Sequence, residues 1–340
     1  MSAAYPRIVP ELPPLRHLAA ADVEAAMPPL EERLVLAERT LTALVADAEL
    51  PAKIGVHPRS PASFGHAMPA YLRGSDPDGA DDLLGMKWVV GFPANGVLGL
   101  PAISALVLLD DARTGLPTAI LDGAPITAAR TAAVSGVAIR HFAPRIAGRA
   151  PRVALVGAGV QGRSHVPVIG HLLPGAELHI HDRQRERADA LVMLARATAG
   201  IGLAFAEPSA RWAIEEADVV VTAVSFGPER QVMPNEWLAP DALVVAVDYA
   251  MMAAAEVARD AALFIVDERG QFLANRDAGS FDGYPDPAAT LGEAILAGTP
   301  RPLGGRVLVT HLGVGLADVI FGDAILRVAA ERGIGTLLPR

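Results

Sequence analysis

A glycine-rich turn that joins a short apolar run to a helix-compatible segment constrains this chain more than any other feature of its sequence. The apolar run at residues 152–156 leads directly into Gly-Ala-Gly-Val-Gln-Gly at residues 157–162, which has the spacing G-x-G-x-x-G. A second apolar run at residues 178–181 ends at Asp182, 25 residues after Gly157. A strand, this glycine spacing, a helix and an acidic residue at the end of the next strand are the fingerprint of a dinucleotide-binding βαβ unit.

The residues of the turn suit contact with a dinucleotide. Gly157 permits the tight turn, Gly159 lets a pyrophosphate approach the backbone, and Gly162 lets the helix pack close to the sheet. The N–H groups at the start of that helix favour phosphate binding. Asp182 can accept hydrogen bonds from ribose hydroxyls, which favours NAD(H), whereas the neighbouring Arg183 could bind a 2′-phosphate, so NADP(H) stays an alternative. The predicted cofactor-binding residues are Gly157, Gly159, Val160, Gln161, Gly162, Asp182 and Arg183.

Composition and charge narrow the classes of partner and site. The 340 residues suffice for two domains. The net charge of −9, without a basic block, makes nucleic acids and anionic membrane surfaces poor partners. Cysteine is absent and none of the nine histidines lies in an H-E-x-x-H motif, so no metal site is predicted. No apolar run reaches transmembrane length and the N-terminus has no apolar signal core, so a cytoplasmic protein is expected.

The apolar pattern divides the chain into two parts. The first part is predicted to contain a helical segment, three strands of a largely antiparallel sheet and a long helix, at residues 1–50, 86–92, 102–109, 118–121 and 126–142. After residue 151, strands of buried type alternate with helical segments, as in a parallel sheet covered by helices. The predicted fold class is therefore α/β, with a mixed α/β substrate-binding domain at residues 1–130 and a Rossmann domain at residues 131–310 in the C-terminal half.

Four charged residues stand in apolar or turn-like surroundings and are candidates for chemistry. Lys87 lies in a strand that otherwise has buried character, Arg130 lies on a helix of small residues, and Arg59 lies in a proline-containing turn. Asp248 follows the apolar run 243–247, at the edge where open α/β sheets bind ligands. Each of them alone would fit an ordinary surface, cap or turn position. Together, two arginines and a lysine could bind a carboxylate beside an acid/base group, since arginine binds carboxylates bidentately and a half-buried lysine can titrate near neutrality.

Several short segments occur along the chain in a fixed order. They are His57-Pro58-Arg59, Ala67-Met68-Pro69-Ala70-Tyr71, Lys-Trp-Val-Val-Gly-Phe-Pro at 87–93, Gly99-Leu100-Pro101, Asp-Asp-Ala-Arg-Thr-Gly at 110–115, Ile-Thr-Ala-Ala-Arg-Thr-Ala-Ala at 126–133, the glycine turn and Asp248. With these segments the chain resembles the ornithine cyclodeaminase and μ-crystallin family, from about residue 50 to its end. A Rossmann domain of another family would not carry these elements in this order.

The resemblance implies a reaction, an assembly and roles for the charged residues. It implies NAD(P) chemistry at the α-carbon of a small amino or imino acid, with Arg59, Lys87 and Arg130 binding the α-carboxylate. Asp248 would act as general acid/base. The resemblance also implies a homodimer joined through the sheets of the non-Rossmann domains, with residues 311–340 returning to complete the substrate-binding and dimerisation domain.

One departure from the family pattern bears on the reaction. Ornithine cyclodeaminases have a glutamate two residues before the Met-Pro pair that helps to bind the distal amine of the substrate; this chain has His66 there, which becomes a candidate substrate-binding residue. The exchange favours a cyclic imine (ketimine) reductase or amino-acid dehydrogenase, in which Lys87 or Asp248 supplies a proton. The alternatives are a cyclodeaminase-type lyase, which forms a cyclic amino acid and ammonia while NAD is regenerated, and a non-catalytic NAD(P)-binding protein.

Overall fold

The computed structural model describes residues 12–227 and 229–340. In these residues two eight-stranded sheets, one mostly antiparallel and one parallel, are covered by helices. The predicted α/β class, with a Rossmann domain in the C-terminal half, is confirmed. The first eleven residues of the segment predicted to be helical lie outside the described residues.

The first sheet comes mainly from the N-terminal part of the chain. Its strands are β1 (Leu15–Leu18), β2 (Ala48–Glu49), β3 (Ile54–Val56), β4 (Phe64–Leu72), β5 (Leu83–Gly91), β6 (Ile103–Asp110), β7 (Pro117–Asp122) and β16 (Thr336–Leu338). Their order is β16-β1-β7-β6-β5-β4-β2, with β3 also paired to β4, and every pairing except that of β1 with β7 is antiparallel. The predicted antiparallel strands are β5, β6 and β7, and the C-terminal strand returns to this sheet.

The second sheet is parallel throughout. Its strands are β8 (Arg152–Val156), β9 (Ala176–His181), β10 (Ile201–Ala206), β11 (Val219–Thr222), β12 (Leu243–Ala246), β13 (Leu263–Val266), β14 (Ala289–Thr290) and β15 (Val307–Thr310). Their order is β10-β9-β8-β11-β12-β15-β13-β14. The chain runs outward from β8 through β9 and β10 and then continues on the other side of β8, so the loop after β8 lies at the switch point where doubly wound sheets bind ligands.

Ten α-helices surround the sheets in the described residues. They are α1 (Ala20–Ala25), α2 (Leu30–Ala46), α3 (Gly123–Phe142), α4 (Val160–Leu172), α5 (Arg185–Arg196), α6 (Ala210–Ile214), α7 (Ala255–Arg259), α8 (Arg269–Asp277), α9 (Leu291–Leu296) and α10 (Gly315–Arg332), with short 3₁₀ helices at Pro93–Leu98 and Asn235–Trp237. Within the described ranges, no helix combines the length and the apolar composition needed to cross a membrane.

Helices α3 and α10 connect the two sheets and carry residues of the site. Helix α3 packs against α4 and against β6, and α10 packs against β4, β5 and β6. Buried apolar residues of both helices belong to one continuous core that includes residues of both sheets. The predicted division between residues 130 and 131 falls inside α3, so one helix is common to both parts.

Strand β1 lies in a segment that the sequence pattern assigns to helix. Its four residues, Leu-Arg-His-Leu, pair with β7 on one side and with the C-terminal β16 on the other. A strand this short is stabilised by partners that are distant in sequence rather than by its own apolar alternation. Local periodicity therefore could not identify it.

Candidate active site

The glycine turn after β8 has the backbone geometry that a dinucleotide needs. Gly157 has φ +107°, and a Cβ there would lie 2.5 Å from the carbonyl oxygen of Ala223. A Cβ on Gly162 would collide with the carbonyl oxygen of Gly157 and push α4 away from the turn. At Gly159, by contrast, no atom of the described residues lies within 4 Å of a Cβ position. The open backbone there, followed by the first turn of α4, fits a pyrophosphate.

Asp182 follows β9 and is hydrogen-bonded to the glycine turn. Its Oδ2 accepts a hydrogen bond from the Ala158 N–H at 2.8 Å, and its Oδ1 accepts one from the Gln184 N–H at 2.9 Å. Each carboxylate oxygen has a second lone pair, so Asp182 can still accept hydrogen bonds from ribose hydroxyls. Arg183 is exposed beside it, and Val160 and Gln161 form the start of α4. The structure therefore brings the predicted cofactor-binding residues together at one edge of the second sheet.

Lys87 and Arg130 meet at one buried carboxylate, that of Asp318. Lys87 points to the inner face of the first sheet, where its partners in register are Met68 on β4 and Val107 on β6. Its Nζ lies 2.7 Å from Asp318 Oδ2 on α10, and Arg130 Nε on α3 lies 3.3 Å from Asp318 Oδ1. Burial, and then the neighbouring Arg130, lower the pKa of Lys87 to about 7. Two predicted residues are thus joined by a carboxylate that the sequence analysis did not single out.

The guanidinium of Arg130 occupies the space beside Gly313, in the loop after β15. Gly313 has φ +76°, and a Cβ there would collide with both terminal amino groups of Arg130. The N–H groups of Gly313 and Leu312 donate hydrogen bonds to Asp267 Oδ2 at 2.7 Å and 2.9 Å. Asp267 therefore holds this loop in a position where only glycine leaves room for Arg130.

A third cation, Lys53, reaches the same cluster and was missed by the sequence analysis. Its Nζ donates hydrogen bonds to the Tyr249 hydroxyl at 2.9 Å and to the Leu312 carbonyl at 3.0 Å. Burial lowers the pKa of Lys53 to about 8, against the opposing effect of Asp267. Lys53 follows Pro51-Ala52 in a segment without helix or strand periodicity, so no pattern in the sequence marks it.

Arg59, a predicted carboxylate-binding residue, lies away from this cluster. It is exposed in the loop between β3 and β4, and none of the hydrogen bonds or ion pairs found among the described residues involves it. The turn after β3 carries Arg59 to the surface, whereas Lys53 precedes β3 and points inward. The structure therefore places Lys53, and not Arg59, beside Arg130.

His66 lies on β4 at the margin of the cluster. Its ring stacks on that of Phe64, with 4.6 Å between the centroids. Burial, followed by the charges of Lys53 and His57, lowers the pKa of His66. At neutral pH the predicted substrate-binding histidine is therefore an uncharged, half-buried side chain.

Asp248 lies at the carboxyl end of β12 and is 3% exposed. Its Oδ2 has no hydrogen-bond partner in the described part of the chain, and its Oδ1 lies 3.5 Å from the Met252 N–H. Burial raises the pKa of Asp248 to about 6. The next two residues, Tyr249 and Ala250, have φ +54° and +57°, a strained conformation for residues with a side chain. Such strain is typical of functional sites, and here it holds Tyr249 against Lys53.

Apolar side chains line the turn that follows Asp248. Met251 and Met252 are buried and form an apolar wall, and Phe226 packs edge-on against Tyr249 with 5.6 Å between ring centroids. The site thus combines a group of cations, a carboxyl group that titrates near pH 6, an apolar surface and a dinucleotide-type turn. This combination can bind a carboxylate and transfer a proton next to a redox cofactor.

Comparison with known proteins identifies relatives over most of the chain. The sequence profile of the ornithine cyclodeaminase/mu-crystallin family matches residues 19–272. Nodulation efficiency protein NfeD of Rhizobium meliloti is 33% identical over 332 residues, which cover 96% of this chain and 98% of that protein. Ketimine reductase mu-crystallin of Mus musculus is 30% identical over 258 residues, which cover 74% of this chain and 76% of that protein.

A solved structure shares the architecture of both sheets. The Delta(1)-pyrroline-2-carboxylate reductase of Thermococcus litoralis, solved in complex with NADH and L-proline, superposes with a TM-score of 0.81 at 25% sequence identity. The superposition covers 95% of this chain and 99% of that chain. The family resemblance inferred from the short segments is thereby confirmed.

Proposed function

The chain belongs to the ornithine cyclodeaminase/mu-crystallin family, and we propose that it is an NADH-dependent reductase of small cyclic imino acids. The reaction adds a hydride to the α-carbon and a proton to the nitrogen of a C=N bond, which gives a cyclic α-amino acid and the oxidised cofactor. The reverse reaction is the oxidation of that amino acid. The observation that carries the proposal is the group of half-buried Lys53 with buried Lys87 and Arg130, which Tyr249 links to the neighbouring Asp248 at the edge of a dinucleotide-type sheet.

Residues 157–162 and Asp182 would hold the cofactor. The start of α4 would bind the pyrophosphate, and the Asp182 carboxylate would accept hydrogen bonds from the ribose and repel a 2′-phosphate. This geometry supports NAD(H) over NADP(H), and the Thermococcus litoralis relative was solved with NADH. When bound, the nicotinamide supplies the hydride. Since NADH is an intracellular reductant, we place the reaction in the cytoplasm.

Lys53, Lys87 and Arg130 would bind the carboxylate of the substrate. Asp318 holds Lys87 and Arg130 side by side, and its contact with Arg130 uses Nε, so the terminal amino groups can pair bidentately with a carboxylate. Among the described residues, the carboxylates of Asp318 and Asp267 face these three basic side chains. When all three are protonated, they carry one positive charge more than the two carboxylates balance. One substrate carboxylate neutralises that charge, which supports a monocarboxylic substrate.

Asp248 would transfer the proton. Its pKa of about 6 means that a fraction is protonated at neutral pH, and its Oδ2, which has no hydrogen-bond partner among the described residues, can contact a substrate nitrogen. Protonation of the imine nitrogen makes the α-carbon more electrophilic, and the Asp248 carboxylate that remains stabilises the positively charged iminium until hydride addition gives the neutral ring amine. Lys87 is assigned to the substrate carboxylate rather than to proton transfer, because Asp318 at 2.7 Å and a bound carboxylate both favour its charged form, against the burial that lowers its pKa to about 7.

His66 and the apolar wall support a ring without a distal amine. A diamino acid needs a negative charge for its distal ammonium group, and the imidazole of His66 carries none in either of its protonation states. Met251, Met252 and Phe226 provide apolar surface instead. These residues disfavour the cyclodeaminase alternative, and the pairing of a cationic group with a proton-transfer acid disfavours a non-catalytic binding protein.

An apolar face of the first sheet supports a homodimer. Trp88 on β5 and Leu106 on β6 are opposite each other in register, and they are 39% and 48% exposed on the face turned away from Lys87. Val97 and Leu98, in the 3₁₀ helix that follows β5, are 92% and 71% exposed. Several large apolar side chains exposed in one part of the chain favour an interaction site. A second copy of the chain would cover it, sheet against sheet.

The proposal is tested by following the absorbance of NADH with purified protein and a set of substrates. We expect consumption of NADH with five- and six-membered cyclic α-imino acids, and less with NADPH. Release of ammonia from ornithine or lysine without net change in NADH would instead identify a cyclodeaminase. Binding of NADH without either reaction would contradict an enzymatic role.

A further inference from the structure

A chain of buried hydrogen bonds connects the helix after the glycine turn with the end of β15. His165 on α4 lies 2.8 Å from Ser135 on α3, measured from Nε2 to Oγ, and Ser135 Oγ lies 2.8 Å from Nε2 of His311. The other ring nitrogen of His165, Nδ1, lies 2.6 Å from the carbonyl oxygen of Gln161 in the first turn of α4. Ser135 and His165 are 0% exposed and His311 is 1% exposed.

The direction of each hydrogen bond follows from the carbonyl at one end. The Gln161 carbonyl can only accept, so His165 Nδ1 carries a proton and donates. The neutral ring then accepts at Nε2 from the Ser135 hydroxyl, and Ser135 Oγ accepts in turn from the Nε2–H of His311. Burial keeps both rings neutral, since it lowers the pKa of His165 to about 4 and that of His311 to about 3.

The last atom of this series of hydrogen bonds, His311 Nδ1, is an acceptor without a partner among the described residues. In neutral His311 with a proton on Nε2, Nδ1 carries a lone pair, and it makes no hydrogen bond in the described part of the molecule. A buried acceptor left unpaired is unfavourable, so its retention needs a reason. The hydrogen bonds through Ser135 and His165 prevent the ring from changing tautomer to remove it.

His311 lies where the far end of a bound dinucleotide would be. Along the carboxyl edge of the second sheet the features follow the strand order: Asp182 after β9, the glycine turn after β8, Asp248 after β12 and His311 after β15. The His311 N–H donates to the Ala246 carbonyl of β12, so His311 directly extends the ladder next to the strand that carries Asp248. The adenosine end is assigned to Asp182, and the nicotinamide end therefore lies towards Asp248 and His311.

We propose that His311 Nδ1 accepts a hydrogen bond from the carboxamide N–H of the nicotinamide, and that Ser135 and His165 hold the ring in the tautomer this requires. The inference rests on the proposed function, because it assumes a nicotinamide cofactor. Side chains alternate between the two faces of the second sheet. The side chain of His311 follows those of Val307 and Val309 on the face covered by α3 and α4, whereas that of Asp248 follows those of Val244 and Ala246 on the opposite face. The substrate nitrogen is assigned to Asp248, so the cofactor amide is the N–H donor left for His311.

The experiment compares the binding of NADH with that of its reduced 3-acetylpyridine analogue, in which a methyl group replaces the amide nitrogen. Dissociation constants are measured by calorimetry without substrate. One neutral hydrogen bond corresponds to about a two- to tenfold difference in affinity, so we expect the wild type to bind the analogue more weakly by that factor. Equal affinities in the wild type would overturn the inference.

Variants assign the difference to His311. In His311→Phe we expect the ratio of the two dissociation constants to fall to about one, and in His311→Asn, whose side-chain oxygen can replace Nδ1 as acceptor, to stay above one. The control is His179→Phe, the same exchange at a buried histidine on β9; it should keep the wild-type ratio. An unchanged ratio in His311→Phe would overturn the inference.

Ser135→Ala provides a second test, because it removes only one oxygen atom and leaves His311 in place. Loss of the Ser135 hydroxyl frees the tautomer of His311, so the ratio should fall towards one while the protein keeps its far-ultraviolet circular dichroism spectrum. A wild-type ratio in this variant would contradict the orienting role. If the wild type bound neither NADH nor the analogue, the proposed function itself would fail. If NADH bound tightly but the ratio of the two dissociation constants were the same in all variants, only the role of His311 would be refuted.

Discussion

Lys87 Nζ lies 2.7 Å from Asp318 Oδ2, although a central strand carries one residue and the C-terminal helix the other. Both side chains are almost completely buried, at 2% and 0% exposed. A buried ion pair seldom stabilises a fold more than apolar residues of the same volume would. The contact is therefore best explained by the site: it holds a lysine beside Arg130 in the position where a substrate carboxylate would bind.

Asp318→Asn removes the negative charge between two buried cations. We expect the free energy of unfolding in urea to fall by about 3–5 kcal/mol, because breaking a buried pair leaves an uncompensated charge. Affinity for the imino acid should fall at least tenfold, since Lys87 and Arg130 lose their alignment, while the dissociation constant of NADH should change little. Asp323→Asn, on the same helix but in a partly exposed pair with Arg327, is the control and should cost about 1 kcal/mol or less. Equal behaviour of the two variants would contradict the role of Asp318.

The pH dependence of imine reduction should follow the protonation of Asp248. Its pKa of about 6 predicts that kcat/KM for reduction decreases as the pH rises above about 6, because the protonated carboxyl is the proton donor. In Asp248→Asn the rate should fall by about two to four orders of magnitude and this titration should disappear. The substrate and the two lysines titrate in both proteins, so the ratio of the wild-type to the variant profile isolates Asp248. A constant ratio across pH 5–8 would exclude it as the donor.

The same substitution should raise stability at alkaline pH. The pKa of Asp248 in the folded protein, about 6, lies above its ordinary value of 3.8, so the carboxylate form is penalised by folding. This penalty is absent below about pH 4 and complete above about pH 7, where it amounts to about 3 kcal/mol. Asparagine carries no such penalty. The free energy of unfolding of Asp248→Asn, measured by chemical denaturation, should exceed that of the wild type by more at pH 8 than at pH 4.5. An equal difference at the two pH values would contradict the burial of a charge at this position.

Gly313→Ala should displace Arg130 without disturbing the cofactor turn. The added Cβ collides with the terminal amino groups of Arg130, so we expect the KM for the imino acid to rise at least tenfold and the dissociation constant of NADH to stay within about threefold. Gly279→Ala is the matched control, because Gly279 also has positive φ, +87°, yet no described atom lies within 4 Å of its Cβ position. Both variants share the backbone strain of about 1 kcal/mol, so a KM effect of equal size in both would show that Arg130 is not the cause.

Trp88→Arg should convert the proposed dimer into a monomer. The substitution places a charge in the apolar face around Leu106, where association would bury it. Analytical ultracentrifugation should give the mass of a dimer for the wild type and of a monomer for the variant. Trp212→Arg, at a tryptophan 62% exposed on α6, should remain dimeric. A monomeric wild type, or a dimeric Trp88→Arg, would contradict this interface.

Local patterns located the parts of the site that sit on regular elements. The glycine spacing identified the turn after β8, because Gly157 and Gly162 leave no room for a Cβ and Gly159 leaves the backbone open to a cofactor. Lys87 and Arg130 were recognisable since a charged residue is unusual in an otherwise apolar strand or on a helix of small residues. Asp248 was recognisable because it follows an apolar run, and the parallel strand β12 ends two residues before it.

Long-range pairing determined the rest of the site. Asp318 lies in an ordinary helical pattern, and only the packing of α10 on β5 brings it to Lys87. Arg59 matched the expected residue type in the expected region, but the turn after β3 sends it to the surface and Lys53 takes the inner position. No local rule distinguishes two cations six residues apart when the intervening segment is irregular.

The most direct test of the proposed reaction is to follow a deuterium atom from the cofactor. Incubation with a cyclic α-imino acid and NADH deuterated on the transferred position should yield a cyclic amino acid with one deuterium on the α-carbon for each NAD⁺ formed, measured by mass spectrometry and proton NMR. Lys87→Met, with NADH binding intact, should abolish this transfer. A product without deuterium, formed from ornithine or lysine with release of ammonia and no net loss of NADH, would contradict the account.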